Sequence, residues 1–434
     1  MKNTQSADFL GYTCAKMRAH YRFPANFDGT GQTIGIAEWS SGYSQSDLDL
    51  FSQREGLPRC VPQYITIDGG QNKPDAECTL DIEIAHGMAP GATIRVYEAP
   101  AGADYATFWA QVIALLRYVL AEKDRPSVLS ISYGDAESDW SKADVQTVAD
   151  LIAQLTAAGT TVFVASGDQG AMGMHNVYAD PTHTPNADAP ATSPAAVSVG
   201  GTTLPLGGSA EAAWKESGMG ATGGGFSRYH TRPGYQDAVS TNAMRGVPDF
   251  SMLADPVTGW QIVFNGQVMP IGGTSAACPA AAALFACIKQ ARASVGLPDV
   301  GDLLPTLYAH LEAFVPVTQG DNSFMGVQGY AAAAPWSACC GLGVPNGEAL
   351  LAVFAPGAAT TTTIAPTAPT TPTTIPVYIN GVKQTFSALL RDGMAYVPAL
   401  LTAKALGVPA TRNLSGVYIG KAASLWQRIF GGRA

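Results

Sequence analysis

Apolar residues in the first half of the chain fall into two alternating kinds of run. Short runs at Thr33–Glu38, Tyr64–Ile67, Ala92–Glu98, Ser127–Ser132 and Thr161–Ser166 read as buried strands. Longer stretches between them, Ser46–Glu55, Glu77–Met88, Tyr105–Ala121 and Val145–Ala158, read as helices, the first with Ser46 as a possible N-cap. Strands alternating with helices of this length predict an α/β fold whose parallel sheet carries helices on both faces. From 181 to 270 the chain turns loop-rich and glycine-rich, with short strands such as Ala196–Val199. An apolar run, Gln267–Ile271, then leads into Gly272-Gly273-Thr274-Ser275-Ala276-Ala277-Cys278-Pro279 and a helix-like run, Ala280–Ile288. Residues 301–347 are irregular, and a short helix at Glu348–Phe354 closes the domain.

After residue 356 the pattern changes abruptly. Ala358 to Pro376 is almost entirely Thr, Pro and Ala, too poor in apolar side chains to bury a core. We read residues 1–356 as the main domain, 357–376 as an extended linker and 377–434 as a small α/β module. The module starts with a hairpin signal, Asn380-Gly381 between apolar residues, and continues with Ala395–Pro398 and a Leu400–Leu406 helix.

Candidate chemistry starts at Ser275. Small residues before it allow a tight turn that leaves the hydroxyl accessible, and a serine at a helix start has unpaired N–H groups nearby for an oxyanion. A nucleophilic serine needs a base. None of the six histidines, at 20, 86, 175, 183, 230 and 310, sits in an H-G-T-H setting, and His86 falls inside a helix. Carboxylates fit better. Glu77 and Asp81 are spaced i, i+4 and share one helical face, with Leu80 and Ile84 on the neighbouring buried stripe. Two carboxyls held close repel and share a proton, so the pair can accept a serine proton at acidic pH. Asp168, in Ser166-Gly167-Asp168-Gln169-Gly170, follows a strand at the edge where open α/β sheets bind ligands. If protonated there, it can donate a hydrogen bond to an oxyanion.

Composition narrows the class. A net charge of −9, a pI near 5.1 and the lack of any Lys/Arg cluster exclude nucleic acid as the partner. No run of about 18 apolar residues predicts a membrane span, and Met1–Asp8 has no apolar signal-peptide core. The seven cysteines contain no C-x-x-C pair, which makes zinc unfavoured, and the odd number leaves at least one thiol unpaired or bonded between molecules.

Taken together, Glu77 with Asp81, then Asp168, then Ser275 with Pro279 resemble the sedolisin family of serine-carboxyl peptidases. Thr30–Ile36, Leu80–Glu83, Ala89–Ala92, Ser130–Gly134, Gly223–Ser227 and Gly246–Asp249 look like that family's framework, and the likeness covers roughly residues 10–355. The resemblance implies a subtilisin-like core and an endopeptidase acting on protein or peptide at acidic pH. It implies Ser275 as nucleophile, Glu77 as general base, Asp81 as its partner, and Asp168 in the oxyanion hole with the Ser275 N–H. It also suggests Glu38 as an outer acid extending the network, Tyr133 at the cleft edge where many members carry Trp, and Asp188 as a pocket acid. Family members carry a long N-terminal prodomain, whereas this chain starts almost at the catalytic domain. They also bind one Ca²⁺ through two aspartates, and here Pro316 and Ser337 stand at those places. We therefore expect no Ca²⁺ and no other metal, with packing or a disulfide near Cys339 and Cys340 as a substitute and Asp321 as a nearby oxygen. Residues 377–434 resemble the copper amine oxidase N-terminal-like module of bacterial surface proteins, which implies attachment and an extracellular or surface-associated place. The rival reading is a non-catalytic structural or binding protein that keeps the fold.

Overall fold

In the computed structural model the described residues are 11–174, 184–358 and strand segments between 373 and 419. The chain divides into two compact units, Met1–Thr360 and Thr361–Ala434.

In the first unit, helix α1 (Cys14–His20) precedes strand β1 (Thr33–Trp39), α2 (Gln45–Glu55), β2 (Gln63–Thr66), α3 (Ala76–Met88) and β3 (Thr93–Ala99). Next come α4 (Tyr105–Ala121), β4 (Val128–Ile131), β5 (Asp135–Ala136), α5 (Lys142–Ala157), β6 (Thr161–Ala165), β7 (Asp188–Ala189) and β8 (Val197–Thr203). Short pieces β9 (Ala212–Ala213), β10 (Lys215–Glu216) and β11 (Gly220–Ala221) lead to β12 (Gly225–Thr231), β13 (Met244–Val247), β14 (Phe250–Leu253), β15 (Trp260–Phe264) and β16 (Gln267–Ile271). Helices α6 (Thr274–Ser294), α7 (Leu304–Ala309) and α8 (Gly347–Phe354) follow.

The main sheet runs β14-β8-β6-β4-β1-β3-β2 with every neighbouring pair parallel, and β9 joins β8 antiparallel. Its central strands are buried along nearly their whole length, which is why they read as continuous apolar runs rather than alternating ones. Helices α3 and α6 cover one face, and α4 and α5 cover the other.

Helix α6 is Ala-rich and buried from Thr274 to Lys289, so its small side chains let it run through the centre of the core. Phe285 stacks against both Phe163 of β6 and Phe250 of β14. Truncating it to alanine should cost about 3–5 kcal/mol.

The structure alters three local expectations. The N-cap of α2 is Ser44, not Ser46; their hydroxyls hydrogen-bond each other at 2.8 Å. Helix α3 is capped by the Asp75 carboxylate on the Glu77 N–H and is buried on every side from Cys78 to Met88. It has no separate polar face, because α1, α2, α6 and the β15–β16 hairpin surround it. The expected linker turns into a strand at Thr373, where Thr373–Ile379 pairs antiparallel with Val382–Arg391. Thr and Ile suit the extended backbone, and pairing outweighs the prolines flanking them. That second unit also contains the antiparallel pairs Val382–Arg391 with Met394–Tyr396 and Ala410–Asn413 with Gly416–Ile419. The predicted Asn380-Gly381 turn and Leu400–Leu406 helix lie outside the described residues.

Candidate active site

The site is assembled where the strands end. The segment after β4 supplies Ser132 and Tyr133, and the segment after β6 supplies Gly167 and Asp168. Helix α3 contributes Glu77 and Asp81, and Ser275 is the second residue of α6. A cleft of about 420 Å³ opens at this edge, and Glu77, Ser132, Tyr133, Asp168, Asp188 and Ser275 all line it. The position matches the rule that open parallel sheets bind ligands beyond their carboxyl ends.

Ser275 is held by its place on α6. Gly273 caps that helix with φ 97°, a conformation open to glycine and strained for other residues. The first N–H groups of α6 have no partner within the helix. The Ser275 hydroxyl lies 3.5 Å from the Ser132 carbonyl, at the limit of a hydrogen bond.

Three carboxyls lie together behind the serine. Burial pushes Glu77 up to about 7, and the Asp168 and Asp75 charges add to this, while the nearby Ser275 hydroxyl pulls it back down. Asp81 is wholly buried, and burial together with the charges of Glu38 and Glu77 raises its pKa far above the usual range. The Ser132 hydroxyl sits 2.8 and 3.0 Å from the two Asp81 oxygens. Glu38 is likewise wholly buried and raised by burial and by Glu77, and it accepts a 3.0 Å hydrogen bond from the Tyr133 hydroxyl. It does not line the cleft. Its surroundings are the carboxyl network and the Tyr133 hydroxyl.

Asp168 lies against the start of α6. Its Oδ1 accepts from the Thr274 N–H at 2.7 Å and from the Thr274 hydroxyl at 2.8 Å. Burial raises its pKa, and these two donors oppose the shift. A raised carboxyl keeps its proton to higher pH than an ordinary aspartate, and in that form it can donate a hydrogen bond into the cleft.

Asp188 sits in β7, paired with β5, and lines the cleft. Its Oδ1 accepts from the Met174 N–H at 2.9 Å, its Oδ2 is buried without a partner among the described residues, and burial raises its pKa strongly. Tyr133 packs edge-on against Trp39, 5.1 Å between centroids, and holds the cleft wall beside Glu38. His86 is buried, with Nε2 2.9 Å from the Pro58 carbonyl, and takes no part in the cleft.

Sequence reasoning missed Ser132 and Thr274, although both lie inside quoted motifs, since nothing local says which carboxylate each hydroxyl will meet. Two methionines were missed as well. Met174 and Met219 line the cleft, yet isolated methionines in loop-rich sequence carry no signal.

At the two positions expected to have lost cation ligands, Ser337 accepts from the Cys340 N–H at 3.1 Å. Asp321 Oδ1 is taken by the Lys215 ammonium at 2.7 Å and the Ser323 N–H at 2.8 Å. With proline at 316, this donor set does not fit a hard dication. Among the described residues no three His, Cys, Asp or Glu side chains converge as metal ligands. The suggested disulfide is not present: all seven thiols are free and buried, and the Cys339 and Cys340 sulfurs are 3.7 Å apart. Among the described residues no helix is long and apolar enough to cross a membrane.

Comparison with known proteins points one way. Residues 66–307 match the model of the subtilase family. Kumamolisin from Bacillus sp. (strain MN-32) is 35% identical over 382 residues, covering 82% of this chain and 66% of kumamolisin. Tripeptidyl-peptidase 1 from Bos taurus is 30% identical over 381 residues, covering 79% of this chain and 64% of that protein. The chain therefore spans just under two thirds of the length of these curated relatives. Among solved structures, Pseudomonas sedolisin, a serine-carboxyl proteinase complexed with two molecules of pseudo-iodotyrostatin, superposes with a TM-score of 0.70 at 26% identity. That match covers 81% of this chain and all of sedolisin.

Proposed function

This chain belongs to the subtilase family, and we propose that it is a serine-carboxyl endopeptidase acting on proteins or peptides at acidic pH. One observation carries the reading. Ser275, Glu77 and Asp168 open onto one cleft, with Glu38 and Asp81 buried behind Glu77 and no histidine among the described residues that line it.

In this mechanism the Ser275 oxygen attacks the scissile carbonyl carbon while its proton passes to Glu77. Asp81 and Glu38 share protons with Glu77, so the charge that Glu77 loses or regains is spread over a set. The carbonyl oxygen becomes an oxyanion and is held by the Asp168 carboxyl proton and by N–H groups at the start of α6. Collapse expels the amine, which takes the proton from Glu77, and leaves an acyl group on Ser275. Water then repeats the sequence and releases the acid.

The three acids titrate as a set, so the first proton leaves well before the last. The working form holds one negative charge in the set and a neutral Asp168. Activity therefore rises at the set's first ionisation and falls as Asp168 ionises. We assign Asp188 to a basic or polar side chain next to the scissile bond and Tyr133 to the cleft edge. No Ca²⁺ is assigned, given Pro316, Ser337 and the Lys215–Asp321 pair. An acidic working range suits a place outside a neutral cytoplasm. Surface attachment through residues 377–434 rests on sequence resemblance alone, and a truncation at 360 that leaves surface binding intact would remove it.

The test is cleavage of a denatured protein from pH 3 to 8 by the wild type and by Ser275→Ala. Acid-optimal cleavage, lost in the variant, is expected. An optimum above about pH 7.5 would exclude the carboxylate base, and cleavage retained by Ser275→Ala would exclude the nucleophile. Absence of cleavage by the wild type at every pH would favour the non-catalytic reading.

A further inference from the structure

Met219 is 58% exposed and lines the cleft. An exposed, unbranched apolar side chain over a polar catalytic floor gains nothing from the protein around it. It becomes useful when a ligand covers it.

Its mounting is rigid. Strands β10 and β11 form a two-stranded hairpin whose turn is Ser217-Gly218-Met219, closed by the Met219 N–H on the Glu216 carbonyl at 3.1 Å. Gly218 supplies the positive φ, 77°, that the turn requires. The stem is fastened to the catalytic floor: the Ala221 N–H donates to the Asp168 carbonyl at 2.9 Å, and Ala221 bridges Gln169. Gly220 lies so close to Trp214 that a Cβ there would fall 2.7 Å from the ring. The hairpin tip therefore has a fixed place beside Asp168.

A second wall of the cleft has a different origin. It is built from Tyr133 and Gly134 beyond β4 and from Asp188, which is tied to Met174. Gly134 packs closely on the Ala189 carbonyl, which joins these pieces into one wall. Ser275 and Asp168 line the same cleft. A peptide attacked at Ser275 brings the side chains that flank its scissile bond into this cleft, where Met219 is an exposed apolar group.

We propose that Met219 forms the wall of an apolar subsite for the residue on the leaving-group side of the scissile bond, selecting bulky apolar side chains such as Leu or Phe. The inference rests on the peptidase reading and extends it. The thioether adapts to branched and aromatic partners alike, so the preference is for apolar bulk and not for one side chain.

The experiment uses peptides identical except at the residue following the scissile bond, carrying Leu, Phe, Ser or Asp. The kcat/KM ratio of Leu to Ser is measured for the wild type, Met219→Ala and Met219→Leu. A wild-type ratio on the order of tenfold is expected, the size of effect when one apolar side chain covers another. It should fall toward one in Met219→Ala and be kept in Met219→Leu. A ratio unchanged in Met219→Ala overturns the proposal, as does a change confined to the residue preceding the scissile bond. A parallel loss for all four peptides would mean a structural role and also overturns it. Binding of the Leu and Ser peptides to Ser275→Ala and to Ser275→Ala/Met219→Ala, followed by calorimetry, separates the two readings. Leu-selective binding that depends on Met219, without turnover by the wild type, would keep the subsite and remove the peptidase. Turnover with no dependence on Met219 would do the reverse.

Discussion

Replacing Gly273 with alanine tests the oxyanion arrangement directly. A Cβ at this position would lie 2.7 Å from Asp168 Oδ2. Ordinary carbon–oxygen contact needs at least about 3.3 Å, so the carboxyl must retreat by roughly 0.5–1 Å. That movement stretches the 2.7 and 2.8 Å hydrogen bonds from Thr274 toward the limit of useful geometry. A misplacement near 1 Å in a catalytic group costs about 10²-fold, so kcat should fall by roughly that factor with little change in KM. The backbone, at φ 97° and ψ 160°, adds about 1–3 kcal/mol of strain and a melting temperature lower by a few degrees. Gly266→Ala is the control. Gly266 also has a positive φ, 71°, but its added Cβ meets nothing within 4 Å. It should lose about 1 kcal/mol of stability and keep its activity. Peptide turnover near pH 4 and thermal melts of both variants decide the matter. Full kcat in Gly273→Ala, or an equal loss in Gly266→Ala, would refute the placement of Asp168 as the oxyanion donor.

Three further outcomes are expected. Glu83 is buried, its Oε2 accepting from the Val263 N–H at 2.7 Å, and burial pushes it up to about 9. Because the folded pKa is raised, the stability tied to its proton is complete below the unfolded value near 4.5 and is lost as pH climbs toward 9. The slope is at most about 1.4 kcal/mol per pH unit, so melting temperature should decline over that window and decline less in Glu83→Gln; equal slopes would rule this out. Glu38→Gln removes a charge that raises Asp81, so the Asp81 carboxyl, followed by NMR, should titrate at lower pH than in the wild type; an unmoved titration would detach Glu38 from the network. Chelator or added Ca²⁺ should leave the melting temperature unchanged, and a chelator-induced drop of several degrees would restore a metal site.

The sequence by itself determined the alternation of strands and helices, and with it the parallel sheet. A strand buried on both faces must be apolar throughout, and α4 was legible to the residue, Tyr105–Ala121. The catalytic candidates were legible too, because each sits beside a local signal: a turn before Ser275, a strand end before Asp168, an i, i+4 pair on α3. Tertiary structure decided what those residues meet. Only packing on all sides made α3 a buried helix, and so raised Glu77 and Asp81 together. Only the parallel register of β1 and β4 brings the Tyr133 hydroxyl to Glu38, 95 residues away in sequence. The same holds for Thr274 on Asp168 and for Met219 over the cleft. Periodicity records which side of an element faces the core. It does not record which element lies opposite, and hydrogen-bond partners and shifted carboxyls are properties of that second surface.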